Sequence, residues 1–227
     1  MRMPVQVVAY FVLAVAVCRG ANDTEKRLEA ARAVLGEVMD TPDKAIPQSL
    51  LDKSECVVVV PGLKKGAFVF GAKFGRGFVS CRGKDGAGWS APGSIRVEGG
   101  SFGFQIGGSE TDVVMLVMNR RGAERLLSSK FTVGADAQAA AGPVGRTAQA
   151  ETDATMRAEI LTWSRSRGLF AGVSLQGATL RQDDTGNEEL YGSAGANKEI
   201  VLGGRATPPA ARPLIAILNK YSSRQSK

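Results

Sequence analysis

From Cys56 to Arg181 the chain is a succession of short apolar or β-branched runs cut by glycine, with 28 glycines among its 227 residues. Runs such as Cys56-Val-Val-Val-Val60 are too short for core helices and rich in residues that fit a pleated surface, so they predict strands. Glycine inside a strand marks a sharp bend or a close backbone approach, which favours strong curvature. Helical patterning appears at the two ends. Asn22-Asp23-Thr24-Glu25 supplies capping residues before Leu28, Ala31, Leu35, Val38 and Met39, while Lys26, Arg27, Glu29, Arg32 and Glu37 take the other faces. That spacing predicts an amphipathic helix, and Pro208 to Tyr221 predicts a closing one. Strands in series between helices predict an α+β fold: a single domain with one largely antiparallel, strongly curved or barrel-like sheet.

Finer expectations follow from the same rules. Pro61-Gly62 ends the first strand, and Ala67–Phe70 and Gly77–Cys81 are further strands. Ser101 to Gly107, with Phe102, Phe104 and Ile106 on one face, forms a hairpin with Thr111 to Met118. Gln48–Lys53, Arg120–Ser128 and Asn197–Leu202 are short helices. Phe131 to Gly145 is a strand crowded by another backbone. Met156–Arg165 and Leu169–Arg181 are strands joined at Arg167-Gly168, and Asp183–Asn187 is a turn.

The chain has no histidine, which removes the commonest general base and zinc ligand. No G-x-x-x-x-G-K-[ST], Ser-x-x-Lys or Gly-x-Ser-x-Gly occurs. Asp183 to Glu189 misses calcium-loop spacing, and nothing local pairs Asp112, Asp136 and Asp153 as catalytic carboxylates. The expectation is a protein that is not an enzyme, with no metal and no cofactor.

Residues 1–20 read as a secretory signal peptide: Arg2, an apolar run from Val5 to Val17 shorter than a bilayer span, then small or polar residues. Val17 stands where a lipoprotein needs a small residue before Cys18. The domain then occupies residues 21–227 and is exported, periplasmic or secreted. Cys56 and Cys81 remain after cleavage, as either a disulfide or two buried thiols.

The net charge is +7, and the basic excess survives loss of Arg2 and Arg19 with the leader. The basic residues recur at turns: Lys64-Lys65, Lys73, Arg76, Arg82, Lys84, Arg120-Arg121, Arg165 and Arg167. Grouped at one end of the sheet, they would make an anion-binding surface. Aromatics are 6% of the chain, too sparse for base stacking, so nucleic acid is not the expected partner.

Gly75-Arg76-Gly77, Trp89-Ser90-Ala91-Pro92, Gly103-Phe104-Gln105-Ile106-Gly107 with Asp112, Gly134-Ala135-Asp136, Gly142-Pro143-Val144-Gly145-Arg146 and Ser164 to Val173 occur in the order shown by the SYLF domain family. The resemblance runs over about residues 28–221, with Trp163 where Tyr is expected and Arg167 where Lys is common. It implies a non-enzymatic domain that binds acidic phospholipids, phosphoinositides in eukaryotic members, and actin in yeast members. For an exported bacterial-type member, the implied partner is the anionic phospholipid surface of its own envelope, and actin is not expected. Lys64, Lys65, Lys73, Arg76, Arg165 and Arg167 are the candidate lipid contacts. Lys26, Arg27, Leu28, Arg32, Leu35 and Met39 are the candidates on a helix that either presents its apolar stripe to lipid or packs on the sheet. An envelope scaffold that uses this surface to bind a protein or polyanionic glycan is the alternative.

Overall fold

A computed structural model describes residues 22–41, 46–67, 70–83, 85–102, 107–143, 158–166, 169–172 and 175–222. The expected leader with Cys18, the 103–106 segment of the expected hairpin, Asp153 and Arg167 lie outside these. Asn22 caps the first helix reciprocally. Its side chain accepts from the Glu25 N–H at 2.7 Å, and the Glu25 carboxylate accepts from the Asn22 N–H at 3.2 Å. The helices are α1 (Asp23–Asp40), α2 (Gln48–Lys53), α3 (Arg120–Leu126), α4 (Asp184–Tyr191), α5 (Asn197–Leu202) and α6 (Arg212–Tyr221), the last entered through a 3₁₀ turn at Pro209–Ala211.

The strands are β1 (Cys56–Ala67), β2 (Phe70–Cys81), β3 (Gly93–Phe102), β4 (Gly107–Val117), β5 (Lys130–Thr132), β6 (Ala139–Ala141), β7 (Ile160–Ser166), β8 (Leu169–Gly172) and β9 (Thr179–Gln182). They form one curled sheet in the order β5-β9-β3-β2-β1-β4-β7-β6, with β8 paired to β7; every pairing is antiparallel except β6 with β7. Its inner face buries Val58, Val97, Met115, Phe131 and Leu180 with α3 and α5, and its outer face buries Val59, Phe78, Leu116 and Trp163 under α1, α2 and α6. The fold is α+β, as the strand and helix patterning predicts.

Six local expectations are corrected. Phe131–Gly145 is not one strand, because a turn at Gly134–Asp136 parts β5 from β6, and Leu169–Arg181 is β8 and β9, with a turn at Gln176-Gly177 before β9. Pro61-Gly62 does not end a strand: β1 runs through it as a bulge, its register slipping between Val60 and Leu63 against β4 and between Val59 and Lys64 against β2. Pro61 has no N–H for a central ladder, so the pairing skips it. Gly62 takes φ +60°, and its N–H donates instead to Asp112 Oδ1 at 2.9 Å. The described ends of the expected 67–70 strand belong to two different strands, Ala67 to β1 and Phe70 to β2. β3 and β4 are not a hairpin; each pairs with a strand of the β1–β2 unit and they flank it. Asp183–Asn187 is not a turn, since α4 begins at Asp184 and Asn187 is buried, donating to Gly195 and Asn197 and accepting from the Ser94 N–H.

Cys56 and Cys81 face each other in the β1–β2 register and form a disulfide inside the inner core. It closes a loop of sequence separation 25. Replacing both cysteines by alanine is expected to lower unfolding stability by about 2–3 kcal/mol, read from urea titrations of both proteins under non-reducing conditions.

Candidate anion-binding surface

The bulge decides how Arg76 is presented. A Cβ at Gly77 would stand 2.1 Å from the Val59 carbonyl oxygen, so only glycine lets β2 pass the bulged part of β1. Arg76 projects from the outer face, in phase with Phe78 of the outer core and with Phe74. Phe74 is 50% exposed, the one exposed large hydrophobic side chain among the described residues. Arg27, Lys64, Phe74 and Arg76 surround an open cavity of about 370 Å³ above Pro61-Gly62. Burial lowers the Arg27 pKa and the nearby Arg76 charge lowers it further, with Asp183 and Glu189 opposing.

Across the sheet, Arg76 lies directly opposite Arg96, Arg96 opposite Arg181, and Arg181 opposite Lys130. Four consecutive strands, β2, β3, β9 and β5, thus carry a row of cations on the face opposite Ile95, Val97, Leu180 and Phe131. Like charges placed directly opposite on neighbouring strands destabilise a sheet. Two carboxylates temper this row: Glu98 sits 3.2 Å from Arg96 Nε and 3.5 Å from Arg181 Nε, and buried Asp183 sits 3.5 Å from Arg76 Nε. Four cations thus face two carboxylates along the row.

The sequence-derived candidates divide. Lys64 and Arg76 join this surface. Lys65 and Lys73 face each other on the inner side of the same two strands, and burial together with the Lys73 charge pushes the Lys65 pKa down. Arg165 serves the fold: it pairs with Asp112 at 2.6 Å and with Glu37 of α1, clamping the helix beside the bulge. Arg82 is buried within backbone carbonyls. On α1, Leu28 and Leu35 are 2% and 0% exposed and Met39 packs against the same core, so in this structure the apolar stripe packs on the sheet and α6. The outer strand face requires that cover. Lys26 and Arg32 pair along the helix with Asp23 and Glu29. Sequence reasoning missed Arg96, Arg181, Lys130 and Phe74. Alternation of Arg96 with Ile95 and Val97 was a visible signal; the strand order that aligns it with Arg181 was not.

Comparison with known proteins fixes the family. The Ysc84 family, described as Las17-binding protein actin regulator, matches residues 98–221. The chain belongs to this Ysc84, or SYLF, family. Protein YSC84 of Saccharomyces cerevisiae is 36% identical over 180 residues, covering 78% of this chain and 38% of that protein. LAS seventeen-binding protein 3 of the same yeast is 34% identical over 180 residues, covering 78% and 39%. SH3 domain-containing YSC84-like protein 1 of Mus musculus is 33% identical over 184 residues, covering 81% and 54%. The chain therefore spans between two fifths and about half the length of these relatives. The Ysc84 match contains Glu98, Lys130 and Arg181, while Arg76 and Arg96 precede it.

Proposed function

We propose that this Ysc84 family chain is a non-enzymatic module that binds anionic phospholipid at a membrane surface, on the exported side of an envelope if residues 1–20 act as a leader. The observation that carries the reading is the cation row Lys130–Arg181–Arg96–Arg76, continued by Arg27 and Lys64. A basic residue held near an anionic leaflet contributes about 1 kcal/mol, so a handful suffices for reversible peripheral binding. No described helix is long and apolar enough to cross a membrane.

Co-sedimentation with vesicles of phosphatidylcholine alone and with added phosphatidylserine tests it. Binding is expected only to the anionic vesicles and is expected to fall with salt. Replacing Arg96 and Arg181 together by Glu reverses two charges and is expected to weaken partition at least about tenfold. Equal binding to neutral vesicles, or an unchanged double variant, overturns the reading. The name of LAS seventeen-binding protein 3 states a protein partner, and saturable capture of a protein with no vesicle binding would move the assignment there.

A further inference from the structure

We propose that the cleft bounded by Arg27, Lys64, Phe74 and Arg76 is a discrete site for the phosphate of an organic phosphomonoester, and that its occupant fastens the N-terminal half of α1 to the sheet. The site goes beyond the membrane reading, which needs only the summed charge of the row.

Three separate elements bring cations to this one cavity: Arg27 from α1, Lys64 from β1 and Arg76 from β2. None of the residues that line it is acidic. Their donors are largely uncommitted. Arg27 makes one weak hydrogen bond, to Thr24 Oγ1 at 3.4 Å, and among the described residues neither it nor Lys64 enters an ion pair. Arg76 stands 3.5 Å from Asp183, yet the buried Asp183 Oδ2 has no hydrogen-bond partner, so that contact leaves the guanidinium N–H groups open.

The loop backbone below supplies no donor, because Pro61 has none and the Gly62 N–H is held by Asp112. Recognition therefore falls to two guanidinium forks and one ammonium. A phosphomonoester, with three terminal oxygens and a charge of about −1.5 to −2, matches that set better than a diester with two free oxygens. Phe74 adds a half-exposed apolar wall, which suits the carbon side of an ester and does nothing for inorganic phosphate. At about 370 Å³ the cavity is about twelve times the share of one liquid water, room for a phosphoryl group and its first carbons. Glu110, opposite Lys64 in register, reaches over Gly62 and borders the cleft without lining it.

The consequence for α1 follows from where that helix is tied. Among the described residues, its polar side-chain contacts with other elements are Glu37 with Arg165 and Asp40 with Tyr221, both in the last turn. Near the other end, Arg27 faces Arg76. Burial and then the Arg76 charge lower the Arg27 pKa, against Asp183 and Glu189. An anion between the two guanidiniums turns this repulsion into a bridge from α1 to β2.

Two assays separate a soluble ester from a lipid headgroup as the source. One is calorimetric titration with glycerol 3-phosphate; the other is sedimentation with phosphatidylcholine vesicles carrying phosphatidic acid or phosphatidylserine at equal surface charge. Saturable binding of the soluble ester, or preference for phosphatidic acid, is expected. Arg27→Gln and Arg76→Gln are each expected to weaken that binding at least about tenfold. Arg120→Gln, an exposed cation of α3, is expected to bind like the parent. Glu110→Gln is expected to tighten binding about threefold, the scale of an exposed charge pair. The bound probe is expected to slow amide exchange over residues 27–35. Neither saturable binding nor a phosphatidic acid preference, or parental binding by both arginine variants, overturns the site. Binding with unchanged exchange in α1 overturns the fastening. Salt-sensitive binding to phosphatidylserine vesicles would leave the membrane reading standing in either case, and its absence would overturn that reading alone.

Discussion

Replacing Arg82 by Met is expected to lower the unfolding free energy by about 3–5 kcal/mol, the range for removing one partner from a buried charged network. Arg82 is 5% exposed at the end of β2. Its guanidinium donates to the Ser54 carbonyl at 3.3 Å, to the Leu51 carbonyl at 3.0 Å and to the Ser222 carbonyl at 2.8 Å, and it also reaches the Ser222 hydroxyl. Trp89 lies 3.9 Å from the guanidinium carbon and donates its own indole N–H to Ser222 O at 3.0 Å. The Ser222 hydroxyl donates in turn to Asp52 at 2.6 Å. One side chain therefore ties the C-terminal carbonyls of α2, the end of β2 and the residue after α6. Methionine keeps most of the volume and removes every donor, leaving buried carbonyls without those partners. Lysine is expected to rescue little, since one ammonium cannot reproduce the planar fork. Urea titration measures the loss, and a stability close to the parent protein would show that the network is dispensable. Vesicle binding per folded molecule is expected to stay at the parental level, which separates Arg82 from the surface arginines.

The contrast between Arg82 and Arg76 shows what the sequence makes legible. Both stand beside glycines in a basic, turn-rich stretch, and nothing within a few residues distinguishes the buried one from the exposed one. Burial of Arg82 depends on Leu51, Ser54 and Ser222, and Ser222 is 140 positions away in the chain. The helices α1, α2, α3, α5 and α6 were readable because their apolar spacing is local. The partners of β3 and β4 were not. Gly107-Gly108-Ser109 imitates a hairpin turn in the sequence, but it lies within β4, which pairs with β1 while β3 pairs with β2. The same limit hid the cation row. Arg96, Arg181 and Lys130 each show period-two alternation with a buried neighbour, but their alignment exists only once β9 inserts between β3 and β5.

Gly77→Ala is expected to destabilise the fold by at least about 3 kcal/mol, at or beyond the upper end for overpacking. The added Cβ would lie 2.1 Å from Val59 O and 2.8 Å from Val60 Cα, and both are backbone atoms that no rotamer change can move. Relief requires β2 to separate from β1 at the bulge, where Pro61 has already removed a ladder hydrogen bond and Gly62 has committed its N–H to Asp112. Asp112 is also the carboxylate that holds Arg165, and Arg165 holds Glu37 of α1. Displacement at Gly77 therefore propagates to the seat of the first helix. Arg76→Gln, one residue earlier, is expected to leave the urea midpoint near its parental value, because the side chain is 38% exposed and its 3.5 Å contact with Asp183 is weak. Opposite outcomes at adjacent positions would assign the glycine of Gly-Arg-Gly to the bulge and the arginine to the surface. An unperturbed Gly77→Ala protein would instead show that the bulge relaxes freely and that the close approach at Val59 does not constrain this part of the sheet.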